Sequence, residues 1–350
     1  MNHKFKIIAC LLSILLFWGT PLQAEDIDAK QMVFSHIGDS YGWHITTWGE
    51  THITVPLPVI VISKTEGFNV FLSSKLEEGE TYNNFKIAEE GKYAGKVVEV
   101  TPSGELVRPV DLSITKNALA LILNSIILIS IIMFVAKWYK KQPVSAPKGF
   151  VGAMEMFIMD VHDSIIKPSV GKGYEKYAPY LLTAFFFIFI NNVMGLIPIF
   201  PAGANTTGNI AITMVLALCT FFVVNITGTK EYWKEILWPD VPVWMKVPIP
   251  LMPIIEIFGI FTKPFALMIR LFANITAGHA IIISLTSLIF ITVAMGPAVN
   301  TGMTVLSVVL SIFMNCVELL VAYIQAYVFT MLSSIFIGLS QVEKHKVEAY

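Results

Sequence analysis

Charge is what this sequence has least of. Asp, Glu, Lys and Arg make up 14% of its 350 residues, while hydrophobic residues make up 55%. The mean hydropathy is +0.68. These values lie outside the range of soluble globular domains of this length, and they point to an integral membrane protein. A net charge of -1 leaves no basic excess, which argues against nucleic acid as a partner. Cysteine is nearly absent. Cys10 lies in an N-terminal leader, and Cys219 and Cys316 lie in apolar segments, so neither a disulfide framework nor a metal-type spacing is indicated. No G-x-x-x-x-G-K-[ST] loop occurs, which leaves the chain without a phosphate-binding cradle for nucleotide hydrolysis. No metal, no cofactor and no catalytic residue are expected.

The N-terminus reads as a secretory signal. Lys4 and Lys6 precede an apolar run from Ile7 to Trp18, and Thr20 to Ala24 offers a cleavage site before Glu25 and Asp26. Residues 1–24 are therefore assigned to a signal peptide and residues 25–116 to a small external (periplasmic) domain. Within it, His52 to Ile62 and Lys96 to Val100 are rich in β-branched residues and bounded by Gly or Pro, as short strands are. His36, His44 and His52 recur every eight residues. Turn residues interrupt them and no carboxylate or Cys pattern joins them, so surface histidines are the favoured reading over a metal site.

Five apolar stretches follow, at about 118–136, 178–200, 210–226, 249–293 and 303–338. Each is long enough to cross a hydrocarbon core of ~30 Å. The fold class expected is all-α: five membrane helices, plus the external domain with β structure. Lys137, Lys140, Lys141, Lys148, Lys167, Lys172 and Lys176 cluster between the first two spans and mark that side as cytoplasmic. The N-terminus then lies outside and the tail at 341–350 lies in the cytoplasm. Between these spans, Val151, Met154, Ile158, Val161 and Ile165 recur at three and four residues, predicting an amphipathic helix over about 150–166. The last two segments are too long to stand upright. At 1.5 Å per residue the fourth would extend roughly 65 Å and the fifth roughly 50 Å, so a strongly tilted antiparallel hairpin is expected.

These two segments also hold the ionisable groups that a membrane tolerates least. A charge at bilayer depth costs about 2.5–3.5 kcal/mol on insertion scales and is usually functional. The fourth segment carries Glu256, Lys263, Arg270 and His279; the fifth carries Glu318, with Asn315 and Gln325 as polar neighbours. Glu256, Lys263 and Arg270 are spaced by seven, so they fall in one slowly drifting stripe, which Asn274 continues. Glu318 and Gln325 are also seven apart and share a face. In an antiparallel hairpin His279 and Glu318 fall at one depth, outward of Arg270 and Gln325. Imidazole and carboxylate titrate within reach of physiological pH once their surroundings shift them, which suits proton transfer. Arginine stays charged, so Arg270 suits a fixed barrier or a partner for a mobile carboxylate. A stand-alone ion channel or a secondary transporter is the alternative, but the internal repeats of the latter are not found.

The run Thr262-Lys-Pro-Phe-Ala-Leu-Met-Ile-Arg-Leu-Phe-Ala-Asn-Ile-Thr-Ala-Gly-His279 closely resembles the signature of the a subunit of rotary F-type ATP synthases. Glu318 with Gln325-Ala-Tyr-Val-Phe329, Asn191-Asn-Val-Met-Gly-Leu-Ile-Pro198 and Pro253-Ile-Ile-Glu256 extend the resemblance over roughly Gly149 to Leu339. It implies a non-catalytic subunit of the bacterial inner membrane that rests against a ring of c subunits, each bearing a membrane carboxylate. Peripheral-stalk b subunits, the rest of the complex and membrane lipid are the other implied partners. By similarity, Arg270 meets the ring carboxylates and blocks leakage between two aqueous half-channels. His279 and Glu318 line the outer one, and Glu256 belongs to the inner one. Asn274 and Gln325 are polar supports, and Asn192 is a further candidate for the outer path.

Overall fold

A computed structural model describes residues 38–48, 51–89, 91–101, 104–142, 144–197, 202–238 and 251–341. The signal peptide, His36 and nearly all of the 341–350 tail lie outside these residues. The chain forms two compact units. One holds residues 37–278 and 317–350, and the described part of the other is residues 279–316.

The first unit opens with short antiparallel strands: β1 (Gly42–Trp48), β2 (Thr51–Pro56), β3 (Pro58–Ser63), β4 (Gly67–Leu72), β5 (Phe85–Ile87), β6 (Val97–Val100), β7 (Leu106–Val107) and β8 (Val110–Asp111). They pair as β1-β2, β4-β3-β8 and β5-β6-β7. The expected run from His52 to Ile62 is split at Leu57, between Pro56 and Pro58. Two prolines that cannot donate to a ladder end one strand and start the next. His44 pairs across from Thr54 and His52 across from Thr47, so the register does not bring the two histidines opposite each other. Tyr41, Val59, Val61, Phe71, Leu76, Phe85 and Val97 form the core of this region. Two bonds tie it to the first membrane helix: Lys116 N–H to the Ser40 carbonyl at 2.9 Å, and Asn117 N–H to Asp39 Oδ1 at 3.1 Å.

Helices follow: α1 (Lys116–Lys141), α2 (Phe150–Asp160), α3 (Lys167–Val170), α4 (Tyr174–Leu196), α5 (Ile210–Thr227), α6 (Lys230–Leu237), α7 (Leu251–Ile291) and α8 (Pro297–Ser340). Thr115 caps α1 by accepting from Ala118 N–H, and Lys140 and Lys141 complement the dipole at its far end. Five helical stretches are long and apolar enough to cross a membrane: 116–141, 174–196, 210–227, 252–295 and 297–340. The expected spans match these within a few residues. The fifth starts six residues earlier, because Pro297 at the first helical turn begins the helix well before the continuous apolar run.

The expected amphipathic helix is present but not uniform. After α2, Val161–Ile166 forms a π-helical turn that leads into α3. Its apolar side faces inward. Val151, Val161, Ile165 and Ile166 are buried, and Met154 and Ile158 pack against the core of α4, α5, α7 and α8 residues.

Small residues let α8 approach its neighbours. Ala322, Ala326, Thr330, Ser333 and Ser334 are all fully buried, a stripe spaced by three and four. A Cβ at Gly338 would land on the Ser169 carbonyl oxygen, so only glycine lets α8 pass α3 there. In the second unit, the end of α7, a 3-10 turn (Thr292–Met295) and the start of α8 form a helical hairpin. Gly296 at φ 99° makes its bend, and Thr292 Oγ1 donates to Asn300 Oδ1 at 2.9 Å.

Candidate proton path

α7 has two faces of different character. Leu267, Leu271 and Ile275 are at most 2% exposed and pack into the core. The opposite face shows Ile254, Phe258, Phe261, Phe265 and Ile269, all large, apolar and exposed. Arg270 and Asn274 lie on this exposed face, among Ala266, Ala273 and Ala277. The spacing-by-seven stripe thus opens outward at Arg270 and Asn274, whereas Glu256 and Lys263 earlier in the stripe are half-buried. A guanidinium on an apolar band cannot satisfy five N–H donors from hydrocarbon.

Glu318 is the reverse case. It is 3% exposed, in a helix turn that packs against α7 at Gly278. A Cβ at Gly278 would sit 2.7 Å from Glu318 Oε1 and 2.9 Å from its Cδ. The glycine makes the room that the carboxylate occupies. The other close approach is lower on the hairpin, where the Lys263 ammonium lies 5.7 Å from the Phe336 ring centre. The two contacts run antiparallel within this unit, residue numbers rising along α8 as they fall along α7. Gln325, seven residues beyond Glu318 on the same face of α8, is also buried. His279 follows Gly278 directly and is half-buried. Asn315 is exposed and its amide donates to the Ser311 carbonyl, so it does not share the burial of Glu318 and Gln325.

Glu256 is half-buried near the start of α7. Its negative charge acts on Tyr232 of α6, whose phenol is pushed up first by burial and then by that carboxylate. Tyr232, Asn225, Thr220 and Lys263 line a small internal cavity of about 20 Å³. A wider cleft of about 300 Å³ runs on from Lys263 to Arg270, walled by Leu332 and Phe336 of α8. Both spaces are walled mainly by apolar side chains, Lys263 borders both, and Glu256 is not among the described residues that line either.

Asn192 is 2% exposed. Its Oδ1 accepts from Thr207 Oγ1 at 2.7 Å and its amide donates to the Ala322 carbonyl at 3.3 Å. Asn191, beside it, accepts from Asn124 at 2.9 Å and from Thr206 at 3.0 Å. The pair joins α1, α4, α8 and the 202–209 connection through buried hydrogen bonds. Sequence reasoning singled out Asn192 and missed Asn191, Asn124, Thr206 and Thr207. The signal was there in part, since two adjacent amides in an apolar span must both find partners. It also missed Gly278 and Tyr232, whose roles depend on neighbours far away in the chain.

Comparison with known proteins identifies the family. Residues 118–338 match the family model described as ATP synthase A chain. That match begins at the first membrane helix, earlier than the Gly149 boundary drawn from motifs alone. Residues 32–117 match a separate family described as a domain of unknown function. The chain is 42% identical over 262 residues to ATP synthase subunit a of Chlorobium phaeobacteroides (strain DSM 266), covering 71% of this chain and 73% of that protein. It is 38% identical over 241 residues to ATP synthase subunit a of Myxococcus xanthus, covering 67% and 75%. With the five membrane helices and the charged residues of α7 and α8, these matches show that the chain belongs to the ATP synthase A chain family, as a non-catalytic, multi-pass proton-channel subunit of F-type ATP synthase.

Proposed function

We propose that Arg270 is the fixed cation that meets the carboxylates of a rotating ring of c subunits and separates two half-channels. The observation that carries this reading is its position: an exposed guanidinium in the middle of an apolar helix face. Such a face invites an apolar partner, and such a charge invites a carboxylate on that partner. Protons enter from outside by way of Glu318 and His279, with Asn192 as a support of that path. They leave to the inside along the Glu256 side, and Asn274 and Gln325 are polar supports at the Arg270 level. Arg270 itself passes no proton, because it does not deprotonate at any relevant pH. One charge crossing ~100 mV releases about 2.3 kcal/mol, which biases the ring's rotation.

The same reading assigns the remaining parts. The chain spans the bacterial inner membrane with its N-terminus outside and its C-terminus in the cytoplasm. Residues 1–24 are a signal peptide, 25–116 an external domain and 341–350 a cytoplasmic tail. Besides the ring, the subunit adjoins the peripheral-stalk b subunits. The lysines between the first two spans support this orientation.

The test is Arg270→Ala in the whole complex, reconstituted in vesicles. Coupled ATP synthesis is expected to fall to background in assembled complexes. If synthesis driven by a proton gradient survives, the ring-facing role is wrong.

A further inference from the structure

Lys263 is the charged residue of α7 that the proposed half-channels leave without a task. It is seven residues from Arg270, on the same stripe, about 10 Å along the helix axis. Its side chain borders both spaces that lie below Arg270. In the small cavity it meets Thr220 and Asn225 of α5 and Tyr232 of α6. That cavity is large enough for one water, and Asn225 Oδ1 accepts no hydrogen bond among the described residues. In the wider cleft Lys263 stands beside Thr262 and Arg270, across from Leu332 and Phe336. Among the described residues it is the only ionisable one that lines both, and none of the described carboxylates lines either space.

The charged and titratable groups facing it are few. α6 contributes Tyr232, and α7 itself contributes Arg270, with Glu256 one stripe position further on. α5 offers only Thr220 and Asn225, and α8 only apolar and aromatic walls. The Phe336 ring receives the ammonium on its face at 5.7 Å, which holds it in the cleft.

We infer that Lys263 sets the pH at which protons are released to the inner side, by holding a ring carboxylate at Arg270 in its ionised form. This rests on the ring-facing reading of Arg270. Two unit charges about 10 Å apart at an effective dielectric of about 20 change a pKa by about one unit. The cation lowers the carboxylate's affinity for the proton. Release inward during synthesis is favoured, and uptake from inside during ATP-driven pumping is opposed.

Whole complexes carrying Lys263→Met, Lys263→Gln and Lys263→Arg, oriented in vesicles with the inner side facing the medium, test this. Synthesis and pumping are measured against medium pH, per assembled complex, beside Arg270→Ala. Met and Gln are expected to move the acid limb of synthesis up by about one pH unit. They also move the alkaline limb of pumping up by a similar amount, so synthesis suffers at low pH while pumping gains at high pH. Arg keeps both profiles in place. Profiles of Met and Gln that coincide with the unmodified complex overturn the inference, as does a parallel loss in both directions without a shift. Arg270→Ala separates the two failures: an active Arg270→Ala sinks the ring-facing reading, whereas an inactive one with unshifted Lys263 variants sinks only the role of Lys263.

Discussion

Arg270 and Glu318 are both ionisable residues in membrane helices, and they are housed in opposite ways. Arg270 stands on the outside of α7 among exposed apolar side chains, while Glu318 is buried where α8 meets α7. A charge left on the outside is completed by something that the chain does not contain. A charge enclosed between two helices works with groups of its own chain. On the function proposed above, the difference separates a residue that contacts a partner from one that lines a path, although the sequence presents both as a lone charge in an apolar run.

This contrast can be broken by experiment. After Arg270→Ala, the largest effect is expected at Glu318 and its glycine. Glu318→Ala should lower coupled synthesis at least tenfold in assembled complexes, and Gly278→Ala should lower it several-fold by pushing the carboxylate out of its place. Gly278→Ala combined with Glu318→Asp should recover part of the loss, since the shorter side chain leaves room for the new methyl. If Gly278→Ala alone is silent in proton-driven synthesis assays, the packing of Glu318 on Gly278 has no bearing on transport.

A smaller effect is expected at Gly338, which lets the C-terminal part of α8 pass the Ser169 backbone. A methyl there meets Ser169 backbone that cannot rotate away, and overpacking of this kind costs about 1–3 kcal/mol. Gly338→Ala should reduce the amount of subunit retained in the membrane and lower its thermal midpoint, while the pH profile of the surviving complexes stays unchanged. A shifted profile would mean that the Gly338 contact reaches the proton path.

The smallest effect belongs to the N-terminal β region. Burial alone would raise the Asp111 carboxyl, but hydrogen bonds from Ser113 and Tyr41 outweigh it and hold it below the usual carboxylate range. Burial also raises the Tyr41 phenol, which stays a donor to Asp111. A depressed carboxyl stabilises the fold above its unfolded pKa of about 4, and the gain is lost as pH falls through the folded value. The protection of β3 and β8 amides in the full chain, taken against the intrinsic exchange rate at each pH, should therefore fall below about pH 4. Asp111→Asn should remove that pH dependence without altering proton transport. Equal acid sensitivity in both proteins would assign it to another group.

The five membrane helices were legible from composition, because a membrane helix announces itself by about twenty apolar residues whatever its neighbours do. The amphipathic stretch after α1 was also legible from its period, but the π turn at Val161–Ile166 was not. A turn widened by one residue keeps the same apolar composition, and the i to i+5 bond depends on what packs against it. The Asn191–Asn192 pair was visible as polar residues in an apolar span. Its partners in α1, α8 and the 202–209 connection were not, since they lie up to 130 residues away.

The sequence by itself determined that this chain crosses a membrane five times and that Arg270, Glu256 and Lys263 share one stripe of one helix. Composition and helical period are local properties, and they survive without any knowledge of neighbours. Only the tertiary structure decided which side of that stripe faces out. It set Arg270 on an open apolar face, enclosed Glu318 against Gly278, and placed Lys263 between a small cavity and the Arg270 cleft. Burial is a property of the packed helices together, because the same lone charge is exposed or enclosed according to the helix laid beside it.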